Sequence, residues 1–468
     1  MAEALPNEKL RQYLRELKPE ARALLAAELE RAALSGTEPP GASAILEELR
    51  AAARREGRRL PRVGNPQRLF FMPVEPFLVD DRPERKHRGR ISRVCLGPMW
   101  EWISRDLMPD ESKTYVDQVS MLLAASEKNG AEQVARAFQD LTEQRMREVL
   151  GVARTDDKLQ RRLAAQVGTP HAIEDVREIA AILRVRDALG VIASRLPPAI
   201  SNLADEQLVN VSALLDSPIG RHRDVFLYAV LVVMSRLGAP WQVIRLGINA
   251  AKSDVAGRIA QTPFAVAVDV VLTDIERMIS TLRASLKSGQ SGDVAKLLKE
   301  IHDAARALRT EMDLSADSPW ARQLAASRAE VAKLLQAEID NLPGHVRRLL
   351  RPRNPKDGGA GATLDEGDVA EVEAKLVLAA ACRNYAGELA ISEATRRVTF
   401  DLQNYFDNGT QILLDRLRTA PAAERAYRQS QVDAAVKFCA KLFGADYASL
   451  LAKAADMAVK GEQKLAKA

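Results

Sequence analysis

Apolar residues recur at intervals of three and four along most of this chain, and they are chiefly alanine, leucine, valine and isoleucine. That spacing predicts helices packed through small and aliphatic side chains. Ile179, Ile182, Leu183, Val185, Leu189 and Ile192 form one such stripe; Val271, Ile275, Met278, Ile279, Leu282 and Leu286 form another. Each has the width of a helix face turned to a core. Aromatic residues are only 4% of the 468 residues, too few for a large β-sandwich, whereas 47% hydrophobic and 28% charged residues describe a chain that can bury a sizeable interior. The expected fold is all-α: antiparallel helical bundles and hairpins in an extended multi-helix assembly, with one irregular segment rich in proline, aromatics and arginine. No repeat of fixed period is visible, which argues against a regular solenoid.

Turn and capping residues divide the chain. Lys18-Pro19 should open a helix, Ser35 to Gly41 should be a loop, and a helix from Ala44 to Glu56 should stop at Gly57 and Pro61. Thr169-Pro170, Ser217-Pro218, Thr262-Pro263 and Ser318-Pro319 each set a capping hydroxyl before a proline, which lacks the donor that a helix start would leave unused. Ser288 to Gly292 should turn the chain back into a helical hairpin. Pro352, Pro355 and the glycines at 358, 359 and 361 predict a flexible linker over 352–368. Beyond it a helix is expected from Val369 to about Phe406, with a break at Asp407-Asn-Gly409. The predicted organisation is therefore N-terminal helices over 1–57, an irregular segment over 58–99, a main helical domain over 100–351, the linker, and a C-terminal helical module over 369–468.

The irregular segment is the best functional lead. Arg50 to Arg93 holds twelve Arg and one Lys against five acids, hence +8, while the whole chain is +5. Phe70, Phe71, Phe77, Trp100 and Trp102 fall within the same region. Leu69 to Val79 is strongly apolar yet carries Pro73 and Pro76, which forbid an ordinary helix, so this strap must lie on something. Two readings follow. The strap can cover a groove between the protein's own helices, or it can present apolar anchors with flanking arginines to a partner. On the second reading the partner-binding residues are Phe70, Phe71, Phe77, Trp100, Trp102, Arg85, Lys86, Arg88, Arg90 and Arg93. Trp100 and Trp102 point about 200° apart on a helix, so one of the two should be fully buried. Arg347, Arg348, Arg351 and Arg353 make a second basic run that suits phosphate or carboxylate oxygens.

Other chemistries find weak support. Neither common glycine-rich phosphate cradle occurs. His222-Arg223-Asp224 matches the start of a kinase catalytic loop, but Ala229 stands where a metal-binding Asn is needed. His302-Asp303 could contribute to an HD-type phosphohydrolase site, which needs a further His and Asp; only His222 and Asp340 are of the right kind. Cys95, Cys382 and Cys439 are far apart and make no CxxC, so no disulfide framework or thiolate zinc site is expected, and a reducing cytoplasm fits. Glu3, Glu8 and Glu16 interrupt the N-terminal apolar residues, against a secretory signal. The longest apolar run, Val225 to Met234, is about half the ~20 residues of a membrane span and reads as a buried core helix. The expectation is a cytoplasmic interaction or scaffolding protein that docks a protein partner through 50–102, without catalytic residues, metal or cofactor. The alternatives are a binder of phosphate backbones or acidic head groups and the HD-type enzyme; association between copies of the chain is compatible with all three.

Overall fold

The computed structural model describes residues 13–14, 17–34, 37, 39–55, 64–80, 85–169, 171–288, 294–351 and 363–465. The fold is all-α, with nineteen helices among the described residues and one pair of two-residue strands. It divides into two compact units. The first comprises the described residues of 1–82, 88–196 and 214–235; the second comprises those of 83–87, 197–213 and 236–468.

In the first unit α1 (Pro19–Leu34) and α2 (Ala42–Arg55) pack on each other through Ala26, Leu29, Leu46 and Leu49. α3 (Pro66–Phe71) runs into a 3-10 helix, Met72–Phe77. β1 (Leu78–Val79) and β2 (Ile91–Ser92) then pair in parallel, Leu78 beside Ile91. α4 (Leu96–Trp102) continues as a π-helical turn over Ile103–Leu107. α5 (Pro109–Ala124), α6 (Lys128–Ala153), α7 (Asp157–Val167) and α8 (Ala172–Arg195) follow, and α6 packs along both α5 and α8. α9 (Asp205–Leu215) belongs to the second unit up to residue 213, and α10 (Phe226–Arg236) to the first up to residue 235. The apolar run expected as a core helix is α10, whose residues Leu227 to Met234 are all buried. A helix that is hydrophobic on every side has no face to offer water.

The second unit contains α11 (Ile244–Ala251), α12 (Ala256–Ile259), α13 (Ala265–Ser288), α14 (Val294–Glu311), α15 (Pro319–Leu350), α16 (Glu366–Tyr385), α17 (Ser392–Arg418), α18 (Arg425–Phe443) and α19 (Ala445–Leu465). α13 packs on α14 and α15, α15 on α16 and α17, and α18 on α19. The expected turn at 289–292 lies outside the described residues, but the two helices on either side of it do pack together. Trp320 Nε1 donates to Asp269 Oδ1 at 2.7 Å, which joins α15 to α13.

Local signals succeed where tertiary packing agrees with them. α1 starts at Pro19, as expected, while the expected stop of α2 at Gly57 and Pro61 lies outside the described residues. Ser318 caps α15, its hydroxyl accepting from the Ala321 N–H at 3.0 Å, with Pro319 in the first turn. The other hydroxyl-proline pairs do not cap in this way. Ser217 Oγ accepts from Gly220 N–H within a turn, Thr262 Oγ1 donates back to the Ile259 carbonyl, and Pro170 lies outside the described residues.

The C-terminal helices differ from expectation in two places. Asp407-Asn-Gly409 does not interrupt α17: Leu402 and Phe406 before it and Leu413, Leu414 and Leu417 after it are buried, and that continuous core stripe outweighs a turn-prone tripeptide. The break comes instead between Tyr385 and Ser392. There Ala390 has φ of 56°, Leu389 and Ile391 are buried, Arg328 Nε donates to the Glu388 carbonyl at 2.7 Å, and Arg309 grips the Glu388 carboxylate at 2.9 Å. Most of the expected linker, residues 352–362, lies outside the described residues, as do the side chains of Arg54 and Arg55, all of Arg58, Arg59 and Arg62, and Arg353.

All three cysteines are buried and free, and burial pushes the Cys382 and Cys439 thiols up to about 12. A thiolate is the reactive form. Native protein treated with iodoacetamide at pH 8 should therefore stay unlabelled at Cys382 and Cys439 for hours and label at both within minutes after denaturation; rapid native labelling at either would contradict the packing.

Candidate binding groove beneath the strap

The strap begins with a cap that its own sequence supplies. Asn65 accepts from the Arg68 N–H at 2.7 Å and Pro66 occupies the first turn, so α3 forms in spite of its length. Pro73 and Pro76 then tighten the chain into the 3-10 helix rather than leaving it extended. Three carbonyls of this short helix receive donors from side chains of other helices. Gln139 on α6, 2% exposed, donates its Nε2 hydrogens to the Phe70 carbonyl at 2.8 Å and the Leu69 carbonyl at 3.3 Å. Tyr115 on α5 donates to the Pro66 carbonyl at 2.8 Å. Burial moves the Tyr115 phenol upward, which keeps it a donor at any ordinary pH.

The aromatic residues of the segment close around these bonds. Phe70 packs with its ring centroid 4.8 Å from Phe71, 5.5 Å from Trp100 and 5.6 Å from Phe138, and Phe138 stacks on Tyr115 at 4.4 Å. Phe77 meets the edge of Tyr228 at 5.4 Å. Phe70, Phe71, Phe77 and Trp102 are buried, and Trp100 is half-buried, so only one of the two tryptophans is fully enclosed, as their spacing predicts. Four of the five aromatic residues expected to meet a partner are thus buried in the first unit. The strap is the covering element of the first reading, because apolar rings that find a groove within their own unit gain more by filling it than by facing water.

The cations are dispersed. Arg93 grips Glu75 with both Nη groups, at 2.9 and 3.2 Å, and Asp80 through Nε at 2.9 Å; these bonds raise its pKa and fasten β2 to the strap. Arg90 Nη2 approaches Met234 Sδ at 3.3 Å and is half-buried. Arg88 is exposed in the first unit; exposed Arg85 and half-buried Lys86 group with the second. Between Arg88 and Arg90, Gly89 donates its N–H to Glu178 Oε1 at 3.1 Å, and Tyr228 donates to Glu178 Oε2 at 2.7 Å. Gly89 has φ of +72°, and a Cβ there would come within 2.3 Å of Leu231 Cδ1 on α10, so any other residue would be strained and would have to displace that side chain.

Beneath the strap lies a groove of about 310 Å³, entirely within the first unit. Leu69, Met72, Pro73, Pro76 and Phe77 form one wall; Ala135 and Gln139 of α6, Leu189, Gly190 and Ala193 of α8, and Val232 of α10 form the others. Small residues at 135, 190 and 193 face bulky strap residues, and the hollow results. Four charged residues complete the lining: Glu132, Arg136, Arg186 and Asp187. Arg136 and Asp187 are exposed and 3.8 Å apart. Arg186 is different, its side chain only 8% exposed. Its Nη1 donates to the Leu183 carbonyl at 2.8 Å and its Nη2 to Asp140 Oδ1 at 2.8 Å, while its Nε is buried with no acceptor. Of these residues only the strap members belong to the region singled out by sequence. Arg186, Gly190 and Ala193 share one helical face, and that small-residue spacing beside a lone arginine was the available signal.

The remaining candidates form no comparable site. His302 Nδ1 lies 3.0 Å from Asp303 Oδ1, and Lys299 holds the other Asp303 oxygen at 2.6 Å. Burial raises the Asp303 pKa, but the bonds from Lys299 and His302 outweigh it and hold the carboxyl below its usual range. Asp340 pairs with Arg397 at 2.6 Å, and His222 belongs to the first unit, not the second. Among the described residues no three His, Cys, Asp or Glu side chains gather as a metal ion would require. In the second basic run Arg347 lies over the Tyr405 ring and Arg348 beside His345, with Lys375 on the far side of that imidazole. Burial, then Lys375 and Arg348, lower the His345 pKa. Also among the described residues, no helix is long and apolar enough to cross a membrane. Comparison of the chain with known protein families, with curated proteins and with solved structures finds no match.

Replacing Gln139 by Leu keeps the volume and removes both donors, which leaves the Phe70 carbonyl buried and unbonded. The expected loss is about 1–3 kcal/mol in denaturant unfolding; a loss below about 0.5 kcal/mol, within the range of ordinary surface changes, would show that the strap does not depend on this bond.

Proposed function

We propose that the protein is an interaction protein that acts by binding, and that its site is the groove between the strap and helices α6, α8 and α10. The observation that carries the reading is the groove itself: an apolar hollow whose walls include the strap and whose depth comes from Ala135, Gly190 and Ala193. Ligand sites in proteins are concave, mostly apolar and furnished with a few polar groups, and 310 Å³ is at the lower end of their size range. On this reading segment 50–102 contributes a wall, through Leu69 to Phe77, rather than a set of projecting aromatic anchors. A partner inserts an apolar group there and meets Arg136, Glu132 and Asp187 at the rim.

The phosphate-binding alternative has less behind it. Arg93 is committed to Glu75 and Asp80, and Arg88, Arg85 and Lys86 are divided between the units. A cytoplasmic location fits the three free, buried cysteines.

Gly190 offers a clean test. A Cβ at this position meets nothing within 4 Å, so Gly190→Phe brings a ring to the lining of the hollow without a clash at Cβ. Full-length wild type and Gly190→Phe, immobilised side by side, should have equal melting temperatures but differ in retention, with the groove partner lost by at least tenfold from the variant. Identical retained sets would remove the groove from the account.

A further inference from the structure

We infer that His345 is a proton-sensitive clasp, holding the last turns of α15 to the start of α16 while its ring is neutral and loosening that junction when the ring takes up a proton. The clasp lies in the second unit and is independent of the groove.

The imidazole stands between two cations. On its own helix, Arg348 Nη2 lies 3.3 Å from His345 Nδ1; from α16, Lys375 Nζ lies 3.4 Å from His345 Nε2. A neutral imidazole has one bare nitrogen and one N–H, so it can accept from one of these cations. Protonation makes both nitrogens donors. Each contact then sets donor against donor, and a third positive charge enters a space that already holds two. The Lys375 contact is the one that crosses from α16 to α15, so its loss acts on the junction.

Carboxylates oppose the cations. Glu371 of α16 holds Lys375 at 2.9 Å and, with Glu338 two turns earlier on α15, favours the charged ring. Asp365 and Asp368 line the same cavity as the ring, where the Asp365 carboxylate caps α16 by accepting from the Asp368 N–H at 2.9 Å. α18 contributes Tyr427 to that cavity, and on α17 the Tyr405 ring lies under Arg347. Burial, Lys375 and Arg348 outweigh Glu371 and Glu338, and the pKa of the ring falls below its ordinary value. The cavity, about 280 Å³, is many times the volume a water molecule needs, so solvent protons reach the imidazole.

The sign follows. The ring binds a proton more readily in the open junction, where its pKa is the ordinary ~6.5, than in the closed one. The clasp therefore holds fully above about pH 6.5 and weakens as pH falls through the lower, closed-state pKa. Other bonds keep the effect local. Gln431 of α18 donates to the Leu350 and Arg351 carbonyls, and the Leu364 N–H donates to Ser430 Oγ, none of which titrates in this range. Val346 and Leu350 of α15 and Val372 and Leu376 of α16 stay buried as apolar contacts.

The test uses full-length protein and two readouts. Imidazole resonances followed by NMR from pH 4.5 to 8, with His345 assigned by its absence in His345→Gln, should give a His345 midpoint below ~6.5. Arg348→Gln and Lys375→Gln should each move that midpoint upward. Hydrogen exchange of peptides covering 340–350 and 363–376, corrected for the intrinsic effect of pH, should be faster at pH 5.5 than at 7.5, by up to about tenfold for each unit that separates the two pKa values. His345→Gln, neutral at both pH values, should remove that difference. A midpoint at or above ~6.5, or one that neither Arg348→Gln nor Lys375→Gln raises, would overturn the clasp, and so would an acid-induced change in exchange that persists in His345→Gln. If His345→Gln does not fold, Arg348→Gln serves in its place: it should reduce the acid-induced exchange, and an undiminished change would contradict the inference.

Discussion

Side chains of two other helices donate to three backbone carbonyls of a six-residue helix, and these bonds tie the strap to the first unit. Gln139 reaches across from α6 to Leu69 and Phe70, and Tyr115 reaches from α5 to Pro66. Both donors are long polar side chains set in an aromatic surround, where an unmade bond costs more than in water. Their geometry holds the strap at one depth, which sets how closely Phe70 can approach Phe138 and Trp100, and how far Met72, Pro73 and Pro76 stand from α8. The groove is the remainder of that distance after the small residues of α6 and α8 have failed to fill it. Arg93, bridging Glu75 and Asp80, and Glu178, bridging Gly89 and Tyr228, secure the far end of the same segment.

The helical class was legible because it rests on a redundant signal: dozens of apolar positions at helical spacing, any few of which can be misread without consequence. α10 was legible for a similar reason, since Val225 to Met234 has no polar face to turn outward. Single-residue signals fared according to whether a distant contact agreed with them. Ser318 caps a helix whose first turn is anchored by Trp320 on Asp269, whereas Thr262 instead turns its hydroxyl back to Ile259. Asp407-Asn-Gly409 favours a turn locally, but a turn there would pull Leu413, Leu414 and Leu417 from the core. The real break, at 386–391, is held by Arg309 and Arg328 from two other helices, and no local pattern could announce it.

The site was half legible. Apolar residues interleaved with Pro73 and Pro76 required that the strap lie on something, and it does. What the sequence could not supply was the donor that fixes it, since Gln139 looks like one more polar residue on an amphipathic helix. Arg186 is hidden for the same reason. Between Val185 and Leu189 it reads as a charged position on the solvent side of a stripe, and its enclosure depends on Asp140, 46 residues away, and on the Leu183 carbonyl. The density of arginine around the strap, prominent in the sequence, separates in the structure into a clasp at Arg93, a partly enclosed Arg90 and an exposed Arg88. High local charge was real, but its most ordered member serves the fold.

The central claim is that the strap is part of the first unit's interior and not a projecting element. Hydrogen exchange of the isolated protein tests it most directly, by following the amides of residues 66–79 beside those of α6, α8 and α10. The account predicts that strap amides with internal bonds, such as those of Leu69 and Met72, exchange as slowly as the interior of α10, because releasing them requires breaking the Gln139 and Tyr115 bonds and exposing Phe70 and Phe77. Exchange of these amides at unprotected rates, while α6, α8 and α10 remain protected, would contradict it.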